Sequence, residues 1–393
     1  MIAFTENIQF KGVVVMKKMV SALLTLIVGV SMVLKGASAK EEEILIGVTG
    51  PQSGSLALYG QSAKQGLDLA VEEIKAAGGV LGKKIKLQYM DDRGDATEGA
   101  NTYNKLKGDG AVAIIGSITS GVTSGIAEKA KSDGMLIVTP TGTADSLTIG
   151  KPTVFRTCYT DSYQGKIVAK YIAETLKLKK AAVLYCGADE YSLGLYESFK
   201  SACAENKIDI VAVETSSTMD DVDFSAQLAK IAATDAEIIF APYYYGTVSL
   251  IVPQARAVGF QGAMIGADGW DAVVEKIGDN GDAFYKCYYT NHYVAEDPSP
   301  VVQDFIKKFA AKYGNDEKSN AFSALGYDSL NLIAQAIKES GSTDTAKIAE
   351  AVAKIKFSGV TGTFSFDSNG DPQKGAVIIE IKEGKAVWSA TVK

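Results

Sequence analysis

From residue 44 onward, short apolar runs alternate regularly with longer amphipathic ones, and this pattern constrains the fold more than any other feature. Residues 44–48 (ILIGV) are a continuous apolar run, as expected for a strand buried on both faces. Residues 60–77 place Ala63, Gly66, Leu67, Ala70, Val71 and Ile74 at helical spacing and stop at Gly78-Gly79. The same reading predicts strands over 85–89, 112–115 and 136–138, with helices over 96–107 and 121–132. It continues with helices over 164–176, 192–206, 223–233 and 247–258, and strands over 181–185, 208–213, 236–242 and 263–266. Such repetition means parallel sheets covered by helices on both faces. Spread over 393 residues, it predicts an α/β fold of two doubly wound parallel-sheet lobes. Ligands in open α/β sheets bind beyond the carboxyl ends of strands, so the Gly-rich strand ends are where a site is expected.

The last hundred residues read differently. A strand over 288–293 precedes amphipathic helices over 300–313 and 321–340 and a shorter one over 344–355, with Asp344 as its N-cap. Strands over 362–366 and 377–382 flank Asp367-Ser-Asn-Gly-Asp371, whose Asx side chains and glycine favour a tight turn. An EF-hand reading of that turn fails, because no Glu stands at the twelfth loop position and the flanks are strands.

Composition narrows the chemistry. The 40 basic and 46 acidic residues provide no cationic field for nucleic acid. A single histidine, His292, rules out multi-histidine metal sites and leaves no identified nucleophile partner for catalysis. Four cysteines (Cys158, Cys186, Cys203, Cys287) lack CxxC spacing; they are either buried free thiols or one of three disulfide pairings. A dinucleotide enzyme would carry GxGxxG after the first strand, where GVTGPQSG stands, and a hydrolase would need a GxSxG elbow that PQSGS does not supply.

The first forty residues read as an address. Met16-Lys17-Lys18 precedes an apolar run from 19 to 34, then Lys35-Gly-Ala-Ser-Ala39, the layout of a secretory signal peptide cleaved after Ala39. The run of 16 residues before Lys35 is short of the ~20 needed to span a membrane. Residues 1–15 fit no targeting pattern, and Met16 is the better initiator. No cysteine at the cleavage point offers a lipid anchor, so the mature chain is expected outside the cytoplasm with a net charge of −9.

Gly50-Pro-Gln-Ser-Gly54, Tyr59-Gly60, Gly66, Ala70-Val-Glu-Glu-Ile74 and Gly78-Gly-Val-Leu-Gly82 follow in order, then Asp91-Asp92, Tyr191 with Gly194, and Gly359-Val-Thr-Gly362 with Phe366-Asp367 and Gly370-Asp371. Over residues 44–393 this series resembles the branched-chain amino-acid binding proteins of ABC importers, a type I periplasmic binding protein family. The resemblance implies two lobes joined by a three-segment hinge: 44–160 plus 291–372, and 161–290 plus 373–393. It also implies a monomer that captures an amino acid, needs no cofactor or metal, catalyses nothing and delivers its ligand to a membrane ABC permease. A binding protein for an amide or aromatic ligand, or a sensory receptor subunit, is the alternative.

The site residues follow from strand ends and the resemblance together. Ser120, at the helix opening after Ile114-Ile-Gly116, offers its hydroxyl and nearby N–H groups to a carboxylate, or else serves as a plain N-cap. The resemblance assigns the loop Thr139-Pro-Thr141-Gly142-Thr143 to carboxylate and amine, through the Thr143 hydroxyl and the Thr141 carbonyl. It places the cation site at Asp268, where the family often carries the longer Glu. Tyr191 and the Tyr243-Tyr244-Tyr245 cluster enter from the second lobe, with Tyr245 preferred to Tyr244. Tyr59 and Phe322 match pocket walls in the first lobe, Trp270 is either wall or packing, and His292 is read as structural at a crossing between lobes.

Overall fold

The computed structural model describes residues 42–392; the predicted leader over 1–39 lies outside them. Ile44, Ile46 and Val48 are buried in β1 (Glu43–Gly50), as an interior parallel strand requires. The first half continues through α1 (Ala57–Ala76), β2 (Lys84–Asp91), α2 (Ala96–Gly108), β3 (Ala113–Ile115), α3 (Ser120–Asp133), β4 (Ile137–Thr139) and β5 (Val154–Arg156). These strands form a five-stranded sheet of order β2-β1-β3-β4-β5, in which β1, β3, β4 and β5 run parallel.

The second half brings α4 (Asp161–Tyr171), β6 (Lys180–Cys186), α5 (Glu190–Asn206), β7 (Asp209–Ser216), α6 (Ser225–Ala232), β8 (Ile238–Phe240), α7 (Tyr245–Ala257), β9 (Ala263–Gly266) and β10 (Cys287–Asn291). Its core repeats the topology of the first sheet: β7-β6-β8-β9-β10, all parallel, is the order second, first, third, fourth, fifth once more. Helices α8 (Pro300–Tyr313), α9 (Ala321–Ser340) and α10 (Thr345–Val352) and the hairpin β11 (Lys356–Gly359)–β12 (Gly362–Ser365) follow. The chain then adds β13 (Ala376–Lys382) and β14 (Lys385–Val392) as antiparallel strands beside β10, completing a seven-stranded sheet.

The fold class expected from the alternation is therefore observed, with a mixed edge on the second sheet. The expected helix over 164–176 is α4, which starts earlier and ends in a single π turn over Ile172–Leu176. Asp344 caps α10 by accepting the Lys347 N–H, as its position suggested. All four cysteines are buried free thiols, and burial pushes Cys158, Cys203 and Cys287 up to about 12. No metal-binding cluster of His, Cys, Asp and Glu occurs among the described residues, and no described helix is long and apolar enough to cross a membrane.

Among the described residues there are four buried apolar clusters, and the two largest lie one on each sheet. One joins Ile46 and Val48 to Leu330, Ile333 and Ile337 of α9 and to Phe357 and Phe364 of the hairpin. The other gathers the seven-stranded sheet around Val183, Phe240 and Ile265, and also receives Tyr59 and Phe322 from α1 and α9. The chain passes between the sheets after β5, after β10 and between β12 and β13.

Candidate functional site

Both sheets reverse their strand order beside their first strand, and a reversal opens a crevice at the carboxyl ends of the strands. Tyr59 follows β1, Ser120 follows β3, Thr141 follows β4, Tyr191 follows β6, Tyr244 follows β8 and Asp268 follows β9. All six line one space, together with Phe322, Ile118, Thr119 and Gly269. The cavity is small, about 10 Å³, which is room for roughly one water.

Its walls hydrogen-bond to each other. The Tyr59 hydroxyl donates to the Gly269 carbonyl and accepts the Tyr245 N–H at 3.1 Å. The Tyr59 and Phe322 rings stack at 4.1 Å and 7°, and Tyr191 stacks on Tyr244 at 5.1 Å.

Asp268 is the chemical centre. It is buried, and its Oδ1 accepts Gln164 Nε2 and the Tyr191 hydroxyl, both at 3.1 Å. His292 Nε2 lies 2.8 Å from Oδ2, so this nitrogen carries the proton facing the carboxylate. Burial pulls the His292 imidazole down to about 4, against the upward pull of Asp268, and the ring is therefore neutral near pH 7. A carboxylate has four lone-pair positions; three are occupied here, and one on Oδ2 is left for a further donor. No lysine or arginine lines the space.

Ser120 sits at the opposite chemical pole. The helix N-cap is Thr119, not Ser120, and its side chain makes no capping bond. The Ser120 Oγ instead accepts the backbone N–H groups of Thr143 and Ala144 at 3.3 and 3.2 Å. Two accepted bonds occupy both lone pairs and leave the hydroxyl proton to donate outward. With the unpaired N–H groups of the first turn of α3, this makes a site for an anion.

Three expected site residues do not line the space. The Gly142 carbonyl accepts Arg156 Nη1 at 3.0 Å and its N–H donates to Thr139, so its backbone braces the loop. The Thr143 hydroxyl is fully buried without a hydrogen-bond partner, as is Asp161 Oδ2. Burial drives the Asp161 carboxyl well above its usual range, with the nearby Thr143 hydroxyl opposing that shift. The Tyr245 hydroxyl donates to the Ser55 carbonyl at 2.6 Å and thereby ties α7 to the loop after β1; of the tyrosine cluster, it is Tyr244 that faces the space. Trp270 is packing: its indole N–H donates to the Ala241 carbonyl at 2.8 Å, and it is fully buried.

Gln164 was not anticipated. Its amide grips Asp268 twice, donating to Oδ1 and accepting the Asp268 N–H at 3.1 Å on its own Oε1, which also accepts the Thr290 hydroxyl at 2.7 Å. The available signal was positional: Gln164 lies in the first turn of a helix that follows a strand, as Ser120 does, but that strand, β5, offers only Val154 and Phe155 before Arg156 and lacks a continuous apolar run.

A sequence profile for the family described as periplasmic binding protein matches residues 43–386. A Leu/Ile/Val-binding protein homolog of Brucella melitensis is 33% identical over 341 residues, covering 85% of this chain and 90% of its own. Among solved structures, the branched-chain amino acid transporter substrate binding protein LivJ of Streptococcus pneumoniae, in complex with isoleucine, superposes with a TM-score of 0.82. It is 33% identical, and the match covers 89% of this chain and 99% of LivJ. The leucine binding protein LivK of Thermotoga maritima gives 0.83 at 32% identity, covering 89% and 98%.

Proposed function

The chain belongs to the periplasmic binding protein family, and from that premise we propose that it is an extracytoplasmic receptor for an α-amino acid. The carrying observation is the polarity of the site: a buried carboxylate, Asp268, with no lysine or arginine beside it, and a donor pole at Ser120. A zwitterion answers both. Its ammonium takes the open position on Asp268 Oδ2, and its carboxylate takes the Ser120 hydroxyl and the first-turn N–H groups of α3. Tyr59, Tyr191, Tyr244 and Phe322 cover the side chain, with branched aliphatic amino acids, as in the relatives, the first candidates.

The residues divide into lobes at 44–160 plus 291–372 and 161–290 plus 373–393, with the three chain crossings as hinge. Opening separates Tyr59 from Gly269, admits the ligand, and closure re-forms the wall around it. Nothing in this scheme requires a covalent step or a cofactor. The closed monomer then presents its surface to a membrane ABC permease, and the leader over 1–39 directs the chain outside the cytoplasm.

The test is a thermal-shift and calorimetric screen of ligand-stripped protein against the twenty amino acids, since a ligand of the native state alone raises the melting temperature. Leucine, isoleucine or valine should bind, and Asp268→Ala should weaken the best of them by ~30-fold or more, the cost of truncating a buried charge partner. Absence of binding by every amino acid would overturn the proposal, as would an unchanged affinity in the variant.

A further inference from the structure

Thr119 and Tyr244 border the inner cavity and also a second, larger space of about 300 Å³ at the mouth of the cleft. Both are N-caps without a side-chain capping bond, Thr119 for α3 and Tyr244 for α7. The first turns of these helices, of 14 and 13 residues, therefore bring unpaired N–H groups to the mouth, where Gly121, Val122, Gly246 and Thr247 form part of the lining. Nothing lies within 4 Å of where a Cβ would sit on Gly121 or Gly246, so the backbone there is open to a ligand. The Tyr244 hydroxyl, in a residue only 9% exposed, has no hydrogen-bond partner.

The charged groups at the mouth are of both signs. Arg93 is exposed and has no ion-pair partner among the described residues. Asp189 caps α5 by accepting the Ser192 N–H at 2.9 Å, and Asp220 accepts the Ser55 hydroxyl at 3.3 Å; each carboxylate keeps lone pairs for a donor. Helix N–H groups and a guanidinium seek an acceptor, and the two carboxylates seek a donor. A second carboxylate on the ligand would satisfy the first set and be repelled by the second. A cation would do the reverse. A neutral carboxamide satisfies both.

We propose that this mouth is a side-chain compartment of the same site and that it selects an α-amino acid ending in a carboxamide, of the glutamine type. The inference rests on the amino-acid reading above and extends it past the aliphatic side chains. The α3 N–H groups hold the α-carboxylate, so the amide carbonyl accepts from Arg93 and the first-turn N–H groups of α7; the amide NH₂ donates to Asp189 or Asp220.

Calorimetry on ligand-stripped protein with L-glutamine, L-glutamate, L-lysine and L-leucine tests it. Glutamine should bind at least ~10-fold tighter than glutamate or lysine, as expected when a mismatched charge meets a fixed polar site. Arg93→Ala should weaken glutamine by about 10-fold and leave leucine within about twofold, the loss of one charge-assisted hydrogen bond. Gly246→Leu, which places a side chain in open space, should likewise reduce glutamine binding. Leucine binding without glutamine binding overturns this inference and leaves the amino-acid function standing. An equal loss of glutamine and leucine in Arg93→Ala overturns it too, and binding of no amino acid overturns both.

Discussion

Asp268 and His292 show how much of the site is decided by single side chains. His292 is stacked on Tyr159 at 3.7 Å and lies against Asp268, so it braces the carboxylate proposed to hold the amine, at the chain crossing its place in the sequence suggested. Its imidazole sits at about 4 in the folded protein against an ordinary value near 6.5, because burial opposes its charge. Between those values the unfolded chain binds a proton that the folded chain refuses. Its contribution to stability is therefore present above pH 6.5 and is lost as pH falls towards 4. Asp271 works in the opposite direction: burial raises its carboxyl to about 6, so the folded state gains a proton first and stability from this group grows as pH falls from 6 towards 4. Denaturant midpoints measured from pH 7 to pH 4.5 separate the two. The deficit of His292→Gln relative to the parent should shrink as pH falls, and any advantage of Asp271→Asn should shrink as well. Parallel pH profiles for parent and variants would contradict both assignments. Ser120 was legible in the sequence because it follows a strand end, and Tyr191 and Asp268 through the family resemblance, but the partners that aim Asp268 were not. Gln164 and His292 converge on it from α4 and the segment after β10, with Thr290 of β10 bracing Gln164, and no local pattern announces a convergence across more than 100 residues.

At the scale of elements, the pocket wall depends on how closely α1 and α9 approach. A Cβ on Gly66 would stand 1.8 Å from the Ser323 carbonyl oxygen, and one on Gly326 would stand 2.5 Å from the Ala63 carbonyl oxygen. The two glycines let the helix backbones touch, and one turn away the same crossing stacks Tyr59 on Phe322. Gly66→Ala must push the helices apart against a packed core, and should cost about 1–3 kcal/mol of stability. It should also lower ligand affinity, because the Tyr59–Phe322 wall moves with the helices. A variant with full stability and full affinity would show that the crossing has slack. These helices were visible from their apolar spacing, whereas their contact was not: Gly66 reads as one more small residue until Ser323 is placed against it. Three strands went unpredicted for different reasons. β5 offers only Val154 and Phe155 before Arg156, and β11 is a four-residue arm of a small hairpin. β14 is an edge strand, exposed or half-buried throughout, without the buried run that marks the interior strands.

At the scale of the whole molecule, the repeated second-first-third-fourth-fifth strand order explains why one cleft collects residues from six strand ends, three on each sheet. The alternation of strands and helices made two parallel sheets legible. The addition of β13 and β14 to the second sheet was not, since it depends on the last return of the chain. The same architecture yields a prediction about closure. Tyr245 reaches out of α7 to donate its hydroxyl to the Ser55 carbonyl, behind the cavity wall formed by Tyr59, and accepts the Leu58 N–H at 3.4 Å. In the proposed open state both contacts are broken and water replaces them, so they bear on the open–closed equilibrium and not on the ligand directly. Tyr245→Phe keeps the ring that packs at 4.7 Å against Tyr59 and removes only the hydroxyl. Losing a net ~0.5–1.5 kcal/mol from the closed state should weaken every ligand by the same factor, about 2–10-fold, because each ligand draws on the same closure step. Asp268→Ala, by contrast, should weaken α-amino acids and spare the corresponding 2-hydroxy acids, which carry no ammonium. Calorimetry with several amino acids and their 2-hydroxy analogues on both variants reads the difference, and small-angle scattering shows whether Tyr245→Phe leaves more of the unliganded protein open. A ligand-dependent loss in Tyr245→Phe would move that residue from the latch into the binding surface.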